Sequence, residues 1–133
     1  MHVTGIYIAL AVLLVLLLSG RVIGLRNARK VALGDGGVPE LARAIRAHAN
    51  AVEYLPLGLL LLLVIELDQV RTALVHLFGS ALLLGRALHA WGLSRHGGRS
   101  LGRAAGIVLT WLTMLAMALL VLWRHVVLAG IDG

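Results

Sequence analysis

The sequence predicts an all-α integral membrane protein, a four-transmembrane-helix antiparallel bundle, and three observations carry that expectation. Four largely apolar stretches follow one another, at about residues 3–25, 39–66, 72–94 and 101–124. Each is long enough for a helix that crosses the hydrocarbon core, which takes about 20 residues. The composition is 60% hydrophobic and only 14% charged, whereas a soluble domain is about a quarter charged. The cations, finally, are distributed as membrane topology demands. Of the twelve Lys and Arg, all but Arg71 and Arg124 lie in or beside the first and third loops. The positive-inside rule then puts those loops in the cytoplasm and both termini outside. A chain of 133 residues makes a single four-span domain.

The first span, residues 3–20, carries no charge over its whole length. A secretory signal peptide would want Lys or Arg before the apolar run and a small-residue cleavage site after it. Here the cations follow the run, so a retained span is expected. Arg21, Arg26, Arg29 and Lys30 carry the helix into headgroups and water. The GDGG sequence at 34–37 breaks it into a turn, without the strand and helix context of a phosphate loop. Pro39 suits a first helical position, and Glu40 suits the positive end of a helix dipole.

The second span has its lipid-length part from about Ala47 to Ile65, with Pro56 inside it as a possible kink. Residues 66–71 form a short, nearly neutral loop. The third span is interrupted by His76, Arg86 and His89, and residues 94–103 form the third loop. The fourth, residues 104–123, is free of charge, and Arg124 and His125 close it. Trp91 and Trp123 fall at opposite expected interfaces, where amphipathic rings sit well. Gly20 with Gly24, and Gly102 with Gly106, make two small-xxx-small pairs that permit close helix approach. One such bundle has little room for a polar cavity, so a homo-oligomer with clefts between subunits is expected.

The polar residues of the second helix are the main functional signal. Arg43, Arg46, Asn50 and Glu53 are spaced three, four and three apart. At roughly 100° per residue they and Tyr54 share an arc of about 100°. His48 and Ala44, Ala47 and Ala51 lie on the opposite side. Such a stripe cannot face lipid; it needs a bundle interior, a wet cleft or a polar ligand. An internal reading pairs Arg46 with Glu53 through Asn50 and closes the mouth of the bundle. A ligand reading uses the guanidiniums to grip carboxylates, Asn50 as donor or acceptor, and Glu53 to hold an ammonium group. Both signs of charge suit a zwitterionic, peptide-like ligand.

The third span adds Arg86, His89 and Leu93 on one face. Arg86 needs a partner there: a salt bridge to Glu53, or a ligand. His76 and His89, on largely apolar faces, read as hydrogen-bonded packing residues. No HxxxH pair with a supporting carboxylate occurs, so no metal site is expected. The absence of cysteine excludes disulfides and a protein thiol nucleophile. The net charge of +6 is spread between apolar runs, which speaks against nucleic acid.

Residues 43–56, RAIRAHANAVEYLP, resemble the MAPEG superfamily, the membrane-associated proteins in eicosanoid and glutathione metabolism that include microsomal glutathione transferases. The second-helix motif of that group, approximately R-x-x-R-A-x-x-N-x-x-E-x-x-P, is matched by Arg43, Arg46, Ala47, Asn50, Glu53 and Pro56. Tyr54 matches a further position common in several members. ARALHAWG at 85–92 is similar to the third-helix arginine motif, and an arginine opens the fourth span.

The resemblance implies a homotrimer with glutathione bound between subunits at the cytoplasmic side. Arg46, Asn50, Glu53 and Tyr54 would hold it, with Arg86 and His89 from the third helix. Arg26 or Arg29 would reach its carboxylates, and His48 would act from the adjacent subunit. A cation near the thiol, Arg99 or Arg103, would stabilise the thiolate for attack on a lipophilic small molecule or lipid. The family's position for that arginine falls near Ser100, and His89 and Leu93 stand where catalytic relatives often carry tyrosines. Composition suggests a bacterial inner membrane.

Two rival functions follow from other classes. A small four-span proton-coupled transporter would use Glu53 to exchange a proton for a cationic drug, although Arg43 and Arg46 would repel cations at its mouth. A MAPEG-fold binding protein would keep the architecture without catalysis.

Overall fold

The computed structural model describes residues 2–95 and 100–128, all helical or connecting, with no strand among them. Helix α1 runs Thr4–Arg29, α2 Pro39–Leu67, α3 Thr72–Arg95 and α4 Leu101–Leu122, and a π-helical stretch, Trp123–Leu128, extends α4. Each of the four α-helices is long and apolar enough to cross a membrane. Helix α1 continues past residue 25 to Arg29, because the arginines after the apolar run extend into polar surroundings without breaking the helix.

Local chemistry sets the ends. Lys30 closes α1 in the left-handed conformation, φ 54°, its backbone N–H returning to Arg26 and Asn27 carbonyls. The GDGG turn is real: Gly34, Gly36 and Gly37 all have positive φ, and Asp35 Oδ1 accepts from the Gly37 N–H at 2.9 Å. Val38 is extended and Pro39 opens α2 with Glu40 in its first turn, as the helix-start signals predict. Pro56 lies inside α2 and the helix continues through it. Ser100 caps α4, its hydroxyl accepting from the Arg103 N–H at 3.2 Å.

Each helix buries one stripe in which small residues alternate with larger ones. On α2 the buried residues Leu41, Ala44, Ala47, Ala51, Leu55, Gly58, Leu62 and Ile65 recur every three or four positions, a continuous helical face. On α4 the stripe is Gly106, Thr110, Thr113 and Met117. Successive helices run antiparallel: Thr4 Oγ1 meets the Leu62 carbonyl, Leu82 packs where Gly58 leaves room, and Gly85 and Gly92 face Thr110 and Arg103. The α3–α4 approach is the tightest. A Cβ on Gly106 would run into the His89 nitrogen and the Gly85 carbonyl, and one on Gly92 into the Arg103 nitrogen. Of the two predicted glycine pairs, Gly102–Gly106 lies in this seam, while Gly20 and Gly24 face open space.

Long-range polar contacts tie the opposite end. Glu66 accepts from the Val3 and Thr4 backbone N–H groups, capping α1 from the end of α2. Asp68 pairs with Arg124 at 3.6 Å and faces His125 at 3.5 Å. The Tyr7 ring rests on Gly79, and its hydroxyl reaches His76 Nδ1 at 2.8 Å and Ser80 at 3.1 Å. The His76 ring is thus hydrogen-bonded, as the sequence reading expects. Large apolar side chains such as Leu16, Leu17, Leu112 and Leu122 point outward, as a lipid-facing surface requires.

Candidate functional site

At the end of the molecule formed by the start of α2, the end of α3 and the start of α4, the helices leave a cleft of about 910 Å³. Arg43, Arg46, Asn50 and Tyr54 line it from α2, His89 and Leu93 from α3, and Ser100, Arg103, Ile107 and Trp111 from α4 and its cap. Residues four or so apart on α2 and on α4 face each other across it. The mouth carries arginines; the deep end carries Ile107, Tyr54 and Trp111, whose Nε1–H donates to the Tyr54 hydroxyl at 3.1 Å. Among the described residues no Asp or Glu lines the cleft.

Arg86 lies behind this wall, 1% exposed. Its Nε donates to Thr110 Oγ1 at 2.9 Å, one terminal nitrogen donates to Asn50 Oδ1, and the other reaches the Gly106 carbonyl at 3.3 Å. The guanidinium carbon stands 4.8 Å from the centre of the Tyr54 ring, a cation–π distance. The salt bridge to Glu53 that the sequence allowed is not formed: Arg86 makes no ion pair among the described residues. The reason is positional. Asn50, one helical turn nearer the start of α2, occupies the place opposite the guanidinium, and Glu53 turns outward.

Glu53 is accordingly half exposed. It stands 4.0 Å from Arg46, itself exposed, and accepts from Asn50 Nδ2 at 3.4 Å. A solvated pair at that distance contributes little and does not seal a closed interior. The Arg46–Glu53 pair of the internal reading is thus formed, with Asn50 bonded to Glu53, but at an exposed place and not in a closed interior.

Of the predicted site residues, Arg46, Asn50, Tyr54, His89 and Arg103 come together around the cleft, with Arg86 directly behind and Glu53 at its edge. His89 Nδ1 is 3.1 Å from the Arg103 carbonyl, so it is both a packing residue and part of the lining. Arg26, Arg29 and His48 do not line the cleft. Arg26 donates to the Val31 and Ala32 carbonyls beyond the end of α1, and Arg29 pairs with Glu40 at 3.6 Å. Arg99 lies outside the described residues. Within one protomer the space is an open notch between α2 and α4, where small residues such as Ala42 and Ala104 line it.

Sequence reasoning gave Thr110 and Trp111 no part in the site and read Gly106 only as a packing glycine. The available signal was a lone hydroxyl and an indole in an otherwise apolar span, with a glycine one turn before the threonine. Arg43, named in the stripe and in the motif, also faces the cleft, and its Nε is buried with no hydrogen-bond partner among the described residues.

Comparison with known proteins gives a consistent result. A model described as the MAPEG family matches residues 4–123. The inner membrane protein YecN of Escherichia coli strain K12 is 41% identical over 121 residues, which cover 91% of each chain. YecN of Escherichia coli O6:H1 gives the same identity and coverage.

Proposed function

The chain belongs to the MAPEG family, and from that premise we propose that it is a glutathione-binding inner membrane protein. Its further proposed role is that of a transferase or peroxidase acting on lipophilic electrophiles at the cytoplasmic interface. One observation carries the reading. Cationic side chains from α2 and α4, with Arg86 behind them, converge on a cleft that no carboxylate among the described residues lines.

Glutathione offers two carboxylates and one ammonium group. Arg43, Arg46 and Arg103 supply bidentate donors for the carboxylates. Asn50 supplies an amide, and Glu53 at the edge supplies the counter-charge for the ammonium. The apolar deep end suits an electrophile arriving from the bilayer. Arg103 stabilises the thiolate, since a nearby cation lowers a thiol's pKa; Arg99 is the other candidate for that task. The sulfur then forms a bond to the electrophilic carbon while the leaving group departs with its electron pair, and the thiol proton passes to water. Holding a water-soluble nucleophile beside a membrane-dissolved partner is chiefly an orientation task.

A homotrimer accounts for the residues that stand away from the cleft. Arg26 and Arg29 at the end of α1, and His48 on the far side of α2, would reach a neighbour's ligand. A second reading, binding without turnover, is favoured by Leu93, which lines the cleft where catalytic relatives often carry tyrosine.

Calorimetric titration of glutathione into the detergent-purified protein tests the proposal. Wild-type protein should bind, and Arg46→Ala and Asn50→Ala should bind about tenfold to a hundredfold more weakly, as the loss of one charge-assisted hydrogen bond predicts. Equal affinity in all three removes the site. Turnover of a chlorodinitrobenzene-type electrophile or a lipid hydroperoxide separates transferase or peroxidase from binding protein.

A further inference from the structure

Asn50 stands between two partners of opposite demand. Its Oδ1 accepts from Arg86, and its Nδ2 donates to Glu53 at 3.4 Å. A guanidinium has several N–H donors and no acceptor, so the amide oxygen has to face it. Arg86 cannot swing away to release that choice. It is 1% exposed, and its other nitrogens are held by Thr110 Oγ1 and the Gly106 carbonyl. Thr110 spends its own proton on that same carbonyl at 2.8 Å, which leaves its lone pairs for Arg86. The chain of bonds runs in one direction, and every hydroxyl and amide in it has a single orientation.

We infer that Arg86 is a positioning residue that makes Asn50 a donor-only group toward the cleft. The amide NH₂ has two hydrogens; one leans on Glu53 over a long 3.4 Å bond, and the other serves the ligand. The ligand atom seated on Asn50 is therefore an acceptor, a carboxylate or peptide carbonyl oxygen, and never an ammonium group. A freely rotating asparagine would accept either. This rests on the reading of the cleft as a glutathione site and assigns one subsite within it. The cation also stands behind that subsite with no carboxylate among the described residues paired to it, adding attraction for an anion from the protein side.

Asn50→Asp separates this role from simple packing. An aspartate there gives Arg86 an ionised partner in place and removes the amide donor from the cleft. With the full chain in detergent, the thermal midpoint of Asn50→Asp should equal or exceed that of wild type, while glutathione affinity falls at least tenfold. Arg86→Met should weaken glutathione about threefold to tenfold by freeing the amide to rotate, and Arg86→Lys, which keeps a donor for Oδ1, should recover part of that loss. Wild-type affinity in Asn50→Asp, or a lowered midpoint, overturns the assignment. A wild-type chain that binds no glutathione overturns the reading of the cleft. In that event the midpoint of Asn50→Asp still decides the locked amide: equal or raised upholds it, lowered overturns it too.

Discussion

The α3–α4 seam makes the most exacting prediction, because one methyl group is enough to disturb it. In Gly106→Ala the new Cβ would lie 2.6 Å from the Gly85 carbonyl oxygen, 2.8 Å from His89 Cα and closer still to the His89 nitrogen. Ordinary contacts are about 3.5–4.0 Å, so the two helices must part by roughly 1 Å. All three neighbours are backbone atoms, and no rotamer change relieves them. Overpacking of this kind costs about 1–3 kcal/mol. The same shift stretches the Arg86 bond to the Gly106 carbonyl, already 3.3 Å, and the His89 contact with the Arg103 carbonyl, now 3.1 Å. Losing a hydrogen bond from a charged donor adds about 1.5–3 kcal/mol. These terms overlap in space and will not add fully, so about 3–5 kcal/mol is expected. The thermal midpoint of the purified protein should then fall by on the order of 10 °C, with glutathione affinity falling alongside. Gly24→Ala is the control. Nothing lies within 4 Å of its Cβ, and alanine gains about 0.5–1 kcal/mol of helix propensity over glycine. A Gly106→Ala protein that melts within a degree or two of wild type would refute the reasoning.

Three further outcomes are expected. Glu66→Ala leaves the Val3 and Thr4 N–H groups uncapped and should cost about 1–2 kcal/mol; amide exchange in the first turn of α1 should quicken, and unchanged protection there would contradict the cap. The chain has no cysteine, so single-cysteine variants report topology cleanly: with intact spheroplasts an impermeant maleimide should label Gln69→Cys and spare Asp35→Cys, and the reverse pattern would invert the orientation proposed. Cross-linking in native membranes should trap a trimer; a monomer would leave Arg26, Arg29 and His48 without a ligand to reach.

The fold was largely legible in the sequence because the signal is one-dimensional. Lipid-length apolar runs and the turn glycines set four helices and their ends, and residues at 3–4 spacing on α2 set one shared face. The site was legible only along single helices. Asn50 and Arg46 fall on one stripe by arithmetic alone. That Thr110 and Gly106 complete the Arg86 cradle depends on how α4 sits against α3, and helix register across a seam leaves no periodic trace. Glu66 reaching back to Val3 is likewise invisible, since it joins residues 63 positions apart.

The same gap leaves two partners open for Arg86 in the sequence. Counting along the sequence, Glu53 and Arg86 look like natural partners, and a neutral pair would leave the cleft nearly indifferent to the sign of a ligand. In the folded chain an amide takes the place opposite Arg86, and Glu53 stands half exposed beside Arg46. A cation entering the cleft would meet Arg43, Arg46 and Arg103 with one peripheral carboxylate to offset them. At 4 Å and an effective dielectric of 20, each like-charge encounter opposes it by about 4 kcal/mol. An anion meets the same side chains as attraction, with Arg86 reinforcing from behind. Proton–cation exchange at Glu53 is thereby disfavoured, and the preference traces to a single choice of residue. An aspartate at position 50 would neutralise the buried guanidinium where it stands, and the cleft would lose both its rear positive charge and its only amide donor.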